Sequence, residues 1–355
     1  MRITLQNMQR GVTGMHSVTE DGMKAATQTT TSRVQRAGRT ICNGILAALI
    51  CATPCAFGGN IFSDAGGAGA EGSFGVVSGV TFQTNNGSLI ATVGIESNTK
   101  IQATGPGTIS GVVYGSTTAQ TNSSISNTTV TNAPYVNAPL MSSVATSISQ
   151  LATWASTSTT NAGSCGQTVD LSNVSSQITL AAKNGCAVTV FNAANVNINN
   201  GGGQIKIDGS ANPTGVVIIN VSGTFKSQES TGGSSVFATA LSGGITSDQI
   251  LWNLTGNAGQ NNFQTSGNHA ENVLYGDFLD LAGNVNINEV TVNGRIFGGN
   301  SDGNADGSTG MSIVSNAYLN APASYVATPE PSTWLLVASG ALVLGLLHRH
   351  RKVSA

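Results

Sequence analysis

The chain has 355 residues, 45 of them Gly, with only 8% charged and 5% aromatic side chains, against about a quarter charged in an ordinary cytosolic protein. Basic residues crowd towards the two ends. Between Phe57 and Thr328 only Lys100, Lys183, Lys206, Lys226 and Arg295 stand against 13 acids, so that span carries a net charge of −8. Such a body argues against nucleic-acid binding, which needs a basic face, and the length allows one large domain or two small ones.

Near the start, Arg33, Arg36 and Arg39 precede the apolar run Ile41 to Ala52. A basic stretch followed by a short apolar run is a secretory signal peptide, too short for a stable membrane span. Cleavage is expected near Ala56, although Pro54 suits the −3 position poorly. Ile50 before Cys51 is too large for a lipoprotein signal, and Met23-Lys24 offers an alternative start. Residues 1–56 therefore read as an N-terminal extension and signal peptide. Cys42, Cys51 and Cys55 belong to that segment, so only Cys165 and Cys186 reach the exported chain. Two cysteines in an oxidising compartment are expected to form one disulfide. A metal pair is the alternative, with no His or third Cys near in sequence to complete it.

Residues 57–320 read as a β-rich extracellular domain. Short β-branched runs bounded by Gly, Asn and Ser predict strands with tight turns: Gly75 to Phe82, Ser88 to Ile95 and Thr108 to Gly115. The Ser/Thr/Asn-rich stretch 117–131 reads as a loop. Leu140, Val144, Ile148, Leu151, Ala152 and Ala155 then recur at helical spacing. Asn137 can cap that helix and Pro139 is tolerated in its first turn. A helix over about 138–155 is expected, with its apolar stripe along the β body and its Ser/Thr face outward.

Beyond Cys165 the pattern becomes regular. Val188 to Phe191, Val196 to Asn199, Gln204 to Ile207, Val216 to Val221, Ile250 to Leu254, Asn272 to Gly276, Val285 to Asn288 and Val290 to Phe297 all read as short strands. Alternation of Val or Ile with Asn points the aliphatic side chains inward and the amides outward. Such strands suit a sandwich, a barrel or a β-helix. Rows of Asn and the scarcity of charge favour the β-helix, whose stacked turns tolerate neutral polar ladders. The order VVIINVSG, ILWNLTG and VNINEVTVNGRIFGG, at 216–223, 250–256 and 285–299, resembles the choice-of-anchor A domain of bacterial surface proteins. It is similar also to ice-binding-like adhesin domains. Both resemblances imply a β-helical surface domain with one long packed helix and bring no catalytic residue.

Candidates for chemistry are few. His269 beside Glu271 reads as a surface pair. Asp277 and Asp280 offer a glycosidase-type pair of carboxylates, or simply turn residues. Gly201-Gly202-Gly203 lacks an adjacent Lys-Ser/Thr and reads as a turn. Asp302, Asn304 and Asp306, in DGNADG, match the first half of a calcium loop, but Ile313 stands where its bidentate Glu belongs. Weak Ca²⁺ binding and a solvated turn both remain open there, and no other cofactor is expected. Ice binding would need regular Thr-x-Thr ranks, whereas Thr128 to Thr131 read as loop.

Residues 321–331 form a linker ending in Pro329-Glu330-Pro331. Residues 332–355 hold an apolar run, Trp334 to Leu347, capped by Arg349, Arg351 and Lys352. An apolar run with a basic end is a membrane segment whose basic side stays cytoplasmic. Pro-Glu-Pro, short helix and basic end in that order resemble the PEP-CTERM sorting signal of exopolysaccharide-producing Gram-negative bacteria. The resemblance implies processing by an exosortase-type membrane peptidase at the inner membrane, then release or attachment outside. The expected protein is mainly β and non-enzymatic, structural or adhesive in an exopolysaccharide or biofilm context. A carbohydrate-active or ice-binding β-helix is the alternative.

Overall fold

A computed structural model describes residues 61–64, 74–79, 82–95, 101–103, 105–115, 128–130, 135–199, 202–228, 238–256, 261–267, 272–299 and 310–322. The chain divides into two compact units, Met1–Cys55 and Ala56–Ala355. The first unit lies outside the described residues, as do the expected C-terminal membrane segment and the Pro-Glu-Pro tripeptide.

The second unit is a parallel β-helix with three strands in each complete turn. After a short helix α1 (Ile61–Asp64), the first turn is β1 (Val76–Ser78), β2 (Phe82–Asn85) and β3 (Ser88–Ile90). The next is β4 (Val93–Ile95), β5 (Ile101–Ala103) and β6 (Gly107–Ile109), followed by β7 (Val113–Gly115), β8 (Thr128–Val130) and β9 (Tyr135–Val136). Helix α2 (Ala138–Thr160) follows. Six further turns come after it. They are β10 to β12 (Gly166–Thr168, Leu171–Val174, Gln177–Ala181), β13 to β15 (Val188–Ala193, Val196–Ile198, Gln204–Asp208) and β16 to β18 (Val216–Val221, Phe225–Gln228, Thr239–Ser242). Then come β19 to β21 (Ile250–Leu254, Asn261–Ser266, Val273–Tyr275), β22 to β24 (Asp277–Asp280, Asn284–Asn288, Thr291–Asn293) and β25 to β27 (Ile296–Gly298, Met311–Val314, Tyr318–Asn320).

The turns do not stack in chain order. The first face runs β10-β13-β16-β19-β22-β25-β1-β4-β7-β9, so the chain's first turn lies on its last. Val76 pairs with Ile296, Phe82 with Met311 and Ser88 with Tyr318, all in parallel register. The chain therefore winds away from β25 through β9 and must return to the far end to begin β10. Nine strand spacings of about 4.8 Å make that distance about 43 Å. Helix α2, with 23 residues, spans about 34 Å of it at about 1.5 Å per residue. Residues 161–165 complete the return.

Asn137 caps α2 by accepting from the Leu140 amide at 3.1 Å, and Met141, Val144, Ile148, Leu151 and Ala155 are buried along one side. The helix runs five residues past the expected Ala155. There Thr159 and Thr160 donate back to the Ala155 and Ser156 carbonyls at 2.7 and 3.1 Å, so their hydroxyls follow the helix rather than break it. Thr128–Val130 corrects a second expectation: it is a strand on the third face, paired with β6, not loop.

Two apolar layers hold the fold. Val217, Ile219 and Val221 of β16 point into the solenoid, while Val216 and Ile218 pack outward with α2. A strand buried on both sides reads as one continuous apolar run, as VVIINV does. Inside, Trp252 stacks on Phe278 at 5.9 Å and Phe278 on Phe263 at 4.5 Å. Asn192, Asn220 and Asn253 stand in register on the first face. Asn220 donates to Asn192 at 3.0 Å and Asn253 to Asn220 at 2.8 Å, and Asn220 donates also to Thr159 of α2 at 2.7 Å. Cys165 and Cys186 are joined in a disulfide, tying the end of the α2 connection to the corner before β13.

Candidate functional site

Among the described residues, α1 and α2 pack on the first face alone, which leaves the outward side chains of the other two faces as the working surface. On the second face one outward position per turn lines up through the pairing register. The file runs Asn197, Lys226, Gln264, Asn286, Ser312, Gln83, Gln102. Their inward neighbours Ile198, Phe225, Phe263, Val285, Met311, Phe82 and Ile101 are buried, so the alternation of each strand is what turns the amides outward. Six spacings of about 4.8 Å give a polar rank about 29 Å long. Every member but Lys226 is neutral.

The third face carries a different file. Thr291, Tyr318, Ser88, Thr108 and Thr129 align in register. Beside them stand Tyr275, Asn293, Asn320 and Ile90, with Asn320 donating to Asn293 at 3.1 Å. Ile90 is 59% exposed and Tyr318 39%. The face is thus a mix of hydroxyl, amide and apolar groups. Thr appears in it at scattered turns and not as repeated Thr-x-Thr ranks.

Asp277 and Asp280 both fall on β22, and both are buried. Gly276, with φ of +117°, turns the chain from the third face to the first; a Cβ there would meet Trp252 Nε1 at 2.9 Å. Asp277 follows it, and Arg295 holds the equivalent corner one turn on. Asp277 Oδ1 accepts from the Arg295 amide at 2.8 Å, and Oδ2 lies 3.3 Å from Nη1. The same Nη1 donates to Asp248 at 2.7 Å, and Phe62 of α1 lies over the guanidinium, 4.8 Å from its centre. Burial pushes Asp277 up to about 7, against the pull of Arg295 and helped by the charge of Asp248. Asp280 is pushed up to about 6 by burial, while Asn262 and the amides of Gly283 and Ala282 act the other way. Each carboxyl is committed to its own corner inside the wall. A glycosidase pair needs two carboxyls open to a sugar and a water, whereas these are 0% and 1% exposed.

The Asp248–Arg295–Asp277 cluster was not anticipated. Its signal was available, since Arg295 is the one Arg between Phe57 and Thr328 and a lone Arg in so uncharged a body calls for a partner. Gly202 and Gly203 form the turn expected of them, with Gly202 at φ of +113°. His269, the calcium-loop candidates Asp302, Asn304 and Asp306, the expected sorting residues Pro329, Glu330 and Pro331, and the basic Arg349, Arg351 and Lys352 lie outside the described residues. Among the described residues, no group of three or more His, Cys, Asp or Glu is placed to hold a metal, and no helix is long and apolar enough to cross a membrane.

No family model matches the chain, and no curated protein does. Solved structures do match. The similarity is to ice-binding proteins. The ice-binding protein 1 DUF3494 domain of Shewanella frigidimarina is 16% identical, with a TM-score of 0.46 over 72% of this chain and 96% of that one. An ice-binding protein from an Antarctic Flavobacteriaceae bacterium is 15% identical, with a TM-score of 0.40. The match takes in 74% of this chain and about half, 49%, of that longer one. A glycosylated ice-binding protein from an Arctic yeast is 11% identical, with a TM-score of 0.41 over 74% and 95% of the two chains.

Proposed function

We propose that this chain is an exported, non-enzymatic surface protein whose β-helix serves as an adhesive platform for extracellular polysaccharide. The carrying observation is the second-face file from Asn197 to Gln102, in which five of the seven aligned side chains are amides and the others are Lys226 and Ser312. Each Asn or Gln offers both donors and an acceptor, which suits the hydroxyls of a polymer lying along the stack. Tyr275 and Tyr318 on the third face add rings of the kind that pack on apolar sugar faces. The net charge of −8 between Phe57 and Thr328 disfavours polyanions, so the ligand is a neutral glycan. Catalysis has no support from Asp277 and Asp280, which are buried in the wall. The Pro329-Glu330-Pro331 tail supports transient insertion in the inner membrane and release by an exosortase to the surface or the medium.

The test is co-sedimentation of the exported protein with neutral and acidic polysaccharides. Retention by a neutral polymer is expected, and Gln264→Ala with Asn286→Ala should abolish it without changing the melting temperature. No retention by any polymer refutes the reading. A second reading, ice binding, draws on the hydroxyls of Thr291, Ser88, Thr108 and Thr129 on the third face. Its hydroxyls stand at single positions and do not repeat as Thr-x-Thr ranks, which makes it the weaker of the two. Thermal hysteresis without polysaccharide binding would reverse the order.

A further inference from the structure

We infer that Asn184 is a site of spontaneous deamidation, and that the fold selects it from among the Asn-Gly pairs of the chain. Three such pairs fall among the described residues, at 86–87, 184–185 and 293–294, while those at 43–44 and 200–201 lie outside them. A glycine after asparagine leaves its backbone nitrogen unshielded, because no Cβ stands beside it. That nitrogen loses its proton to solvent base and attacks the asparagine Cγ. The Cγ–Nδ2 bond breaks, ammonia leaves and a cyclic imide closes. Water then opens the imide at either carbonyl, giving aspartate or isoaspartate. The only reactant taken up is water. The step needs a free asparagine side chain, an accessible glycine nitrogen and a peptide able to rotate between them.

Two of the three pairs are locked. Asn293 Oδ1 accepts from Asn320 at 3.1 Å, and the Gly294 amide donates to the Asn320 carbonyl at 3.1 Å. A Cβ on Gly294 would lie 1.9 Å from the Gly276 carbonyl oxygen, so that peptide is wedged in the wall. Asn86 Nδ2 donates to Asn316 at 2.9 Å, and the Asn86 carbonyl accepts from the Asn316 amide at 2.7 Å. Gly87 is buried, and a Cβ there would lie 2.9 Å from the Ile313 carbonyl oxygen.

The third pair is open. Asn184 and Gly185 are both exposed. Among the described residues no hydrogen bond engages the Asn184 side chain or the Gly185 amide. Gly185 has φ of +77°, and nothing lies within 4 Å of the place its Cβ would take. The pair is the centre of a turn closed by the Cys186 amide on the Lys183 carbonyl at 3.3 Å. The ends of that turn are held, since Asn212 Nδ2 donates to the Lys183 and Cys186 carbonyls at 3.3 and 2.6 Å. The reaction puts a carboxylate beside Lys183, and its isoaspartyl product lengthens the main chain by one carbon inside the turn. That lengthening breaks the bond that closes it. The chain thereby carries a slow chemical marker of its own age, and the inference does not rest on polysaccharide binding.

The test incubates the purified protein in mildly alkaline buffer, folded and in guanidinium, and maps its peptides by tandem mass spectrometry at intervals. In the folded protein Asn184 should convert about tenfold faster than Asn86 and Asn293, or more, because those two must first open locally. In guanidinium the three rates should converge, since the local structure that separates them is gone. Asn184→Gln, whose longer side chain closes an imide ring poorly, should stay intact and keep the wild-type melting temperature. Equal rates at the three positions in the folded protein overturn the inference. So does an Asn184 that persists in the folded protein while the unfolded chain reacts.

Discussion

Arg295→Met probes the least expected interaction in the molecule. Arg295 and Asp277 are fully buried, whereas the Asp248 side chain is 29% exposed. Met keeps most of the apolar volume beneath Phe62, so little cavity is opened. What remains is Asp277 in the wall with its charge partner gone. Removing one member of a buried pair destabilises by about 3–5 kcal/mol. Asp248 can turn to water, and its lost contact adds no more than about 1 kcal/mol. Guanidinium unfolding of the protein at pH 9.5, well above the folded-state value of Asp277, is the assay. A destabilisation of about 3 kcal/mol or more is expected, shrinking at pH 5 as Asp277 becomes neutral. Adding Asp277→Asn should restore most of the loss, because an amide carries no charge to bury. A loss below about 1 kcal/mol in the single variant, or no recovery in the double, would show that the pair is not an essential element of the corner.

Asp277 itself gives a pH prediction. Its folded-state pKa, about 7, stands above the unfolded value of about 3.9. The stability it contributes is complete below about pH 4 and is lost as pH rises through 7. Asp277→Asn should therefore lose less stability than wild type between pH 5 and pH 8, and parallel curves would refute the assignment. Cys165→Ser removes a disulfide that closes a loop of 21 residues in sequence. It should cost about 3 kcal/mol by the chain-entropy estimate, read from unfolding midpoints, and the wild-type intact mass should rise by two hydrogen atoms on reduction. Glu330→Ala, with Pro329 and Pro331 kept, leaves the apolar run and basic end unchanged. Full-length protein should accumulate in the inner membrane of the native host, and wild-type trimming would show that the tail is only an anchor.

The sequence by itself carried the local physics. Alternation of Asn with Val and Ile marked strands with one side buried, and the unbroken VVIINV marked a strand buried on both. The stripe from Leu140 to Ala155 and the Asn137 cap located α2, because a helix start depends on residues within one turn of it. The polar files were present as single amides in separate strands, but their alignment was not, since it depends on which strand lies beside which.

Tertiary structure decided the rest. No local signal says that Val76 pairs with Ile296, because parallel register is set by packing between segments far apart in the chain. The long α2 makes sense only once the stacking order is known, as the link that returns the chain to the other end of the solenoid. Thr128–Val130 is a strand because β6 offers it an edge, not because its own residues demand one. Asp277, Arg295, Asp248 and Phe62 meet at one corner for the same reason. Charge in so apolar a wall can be held only where the fold brings an opposite charge to it, and the stacking of turns alone determines where that is.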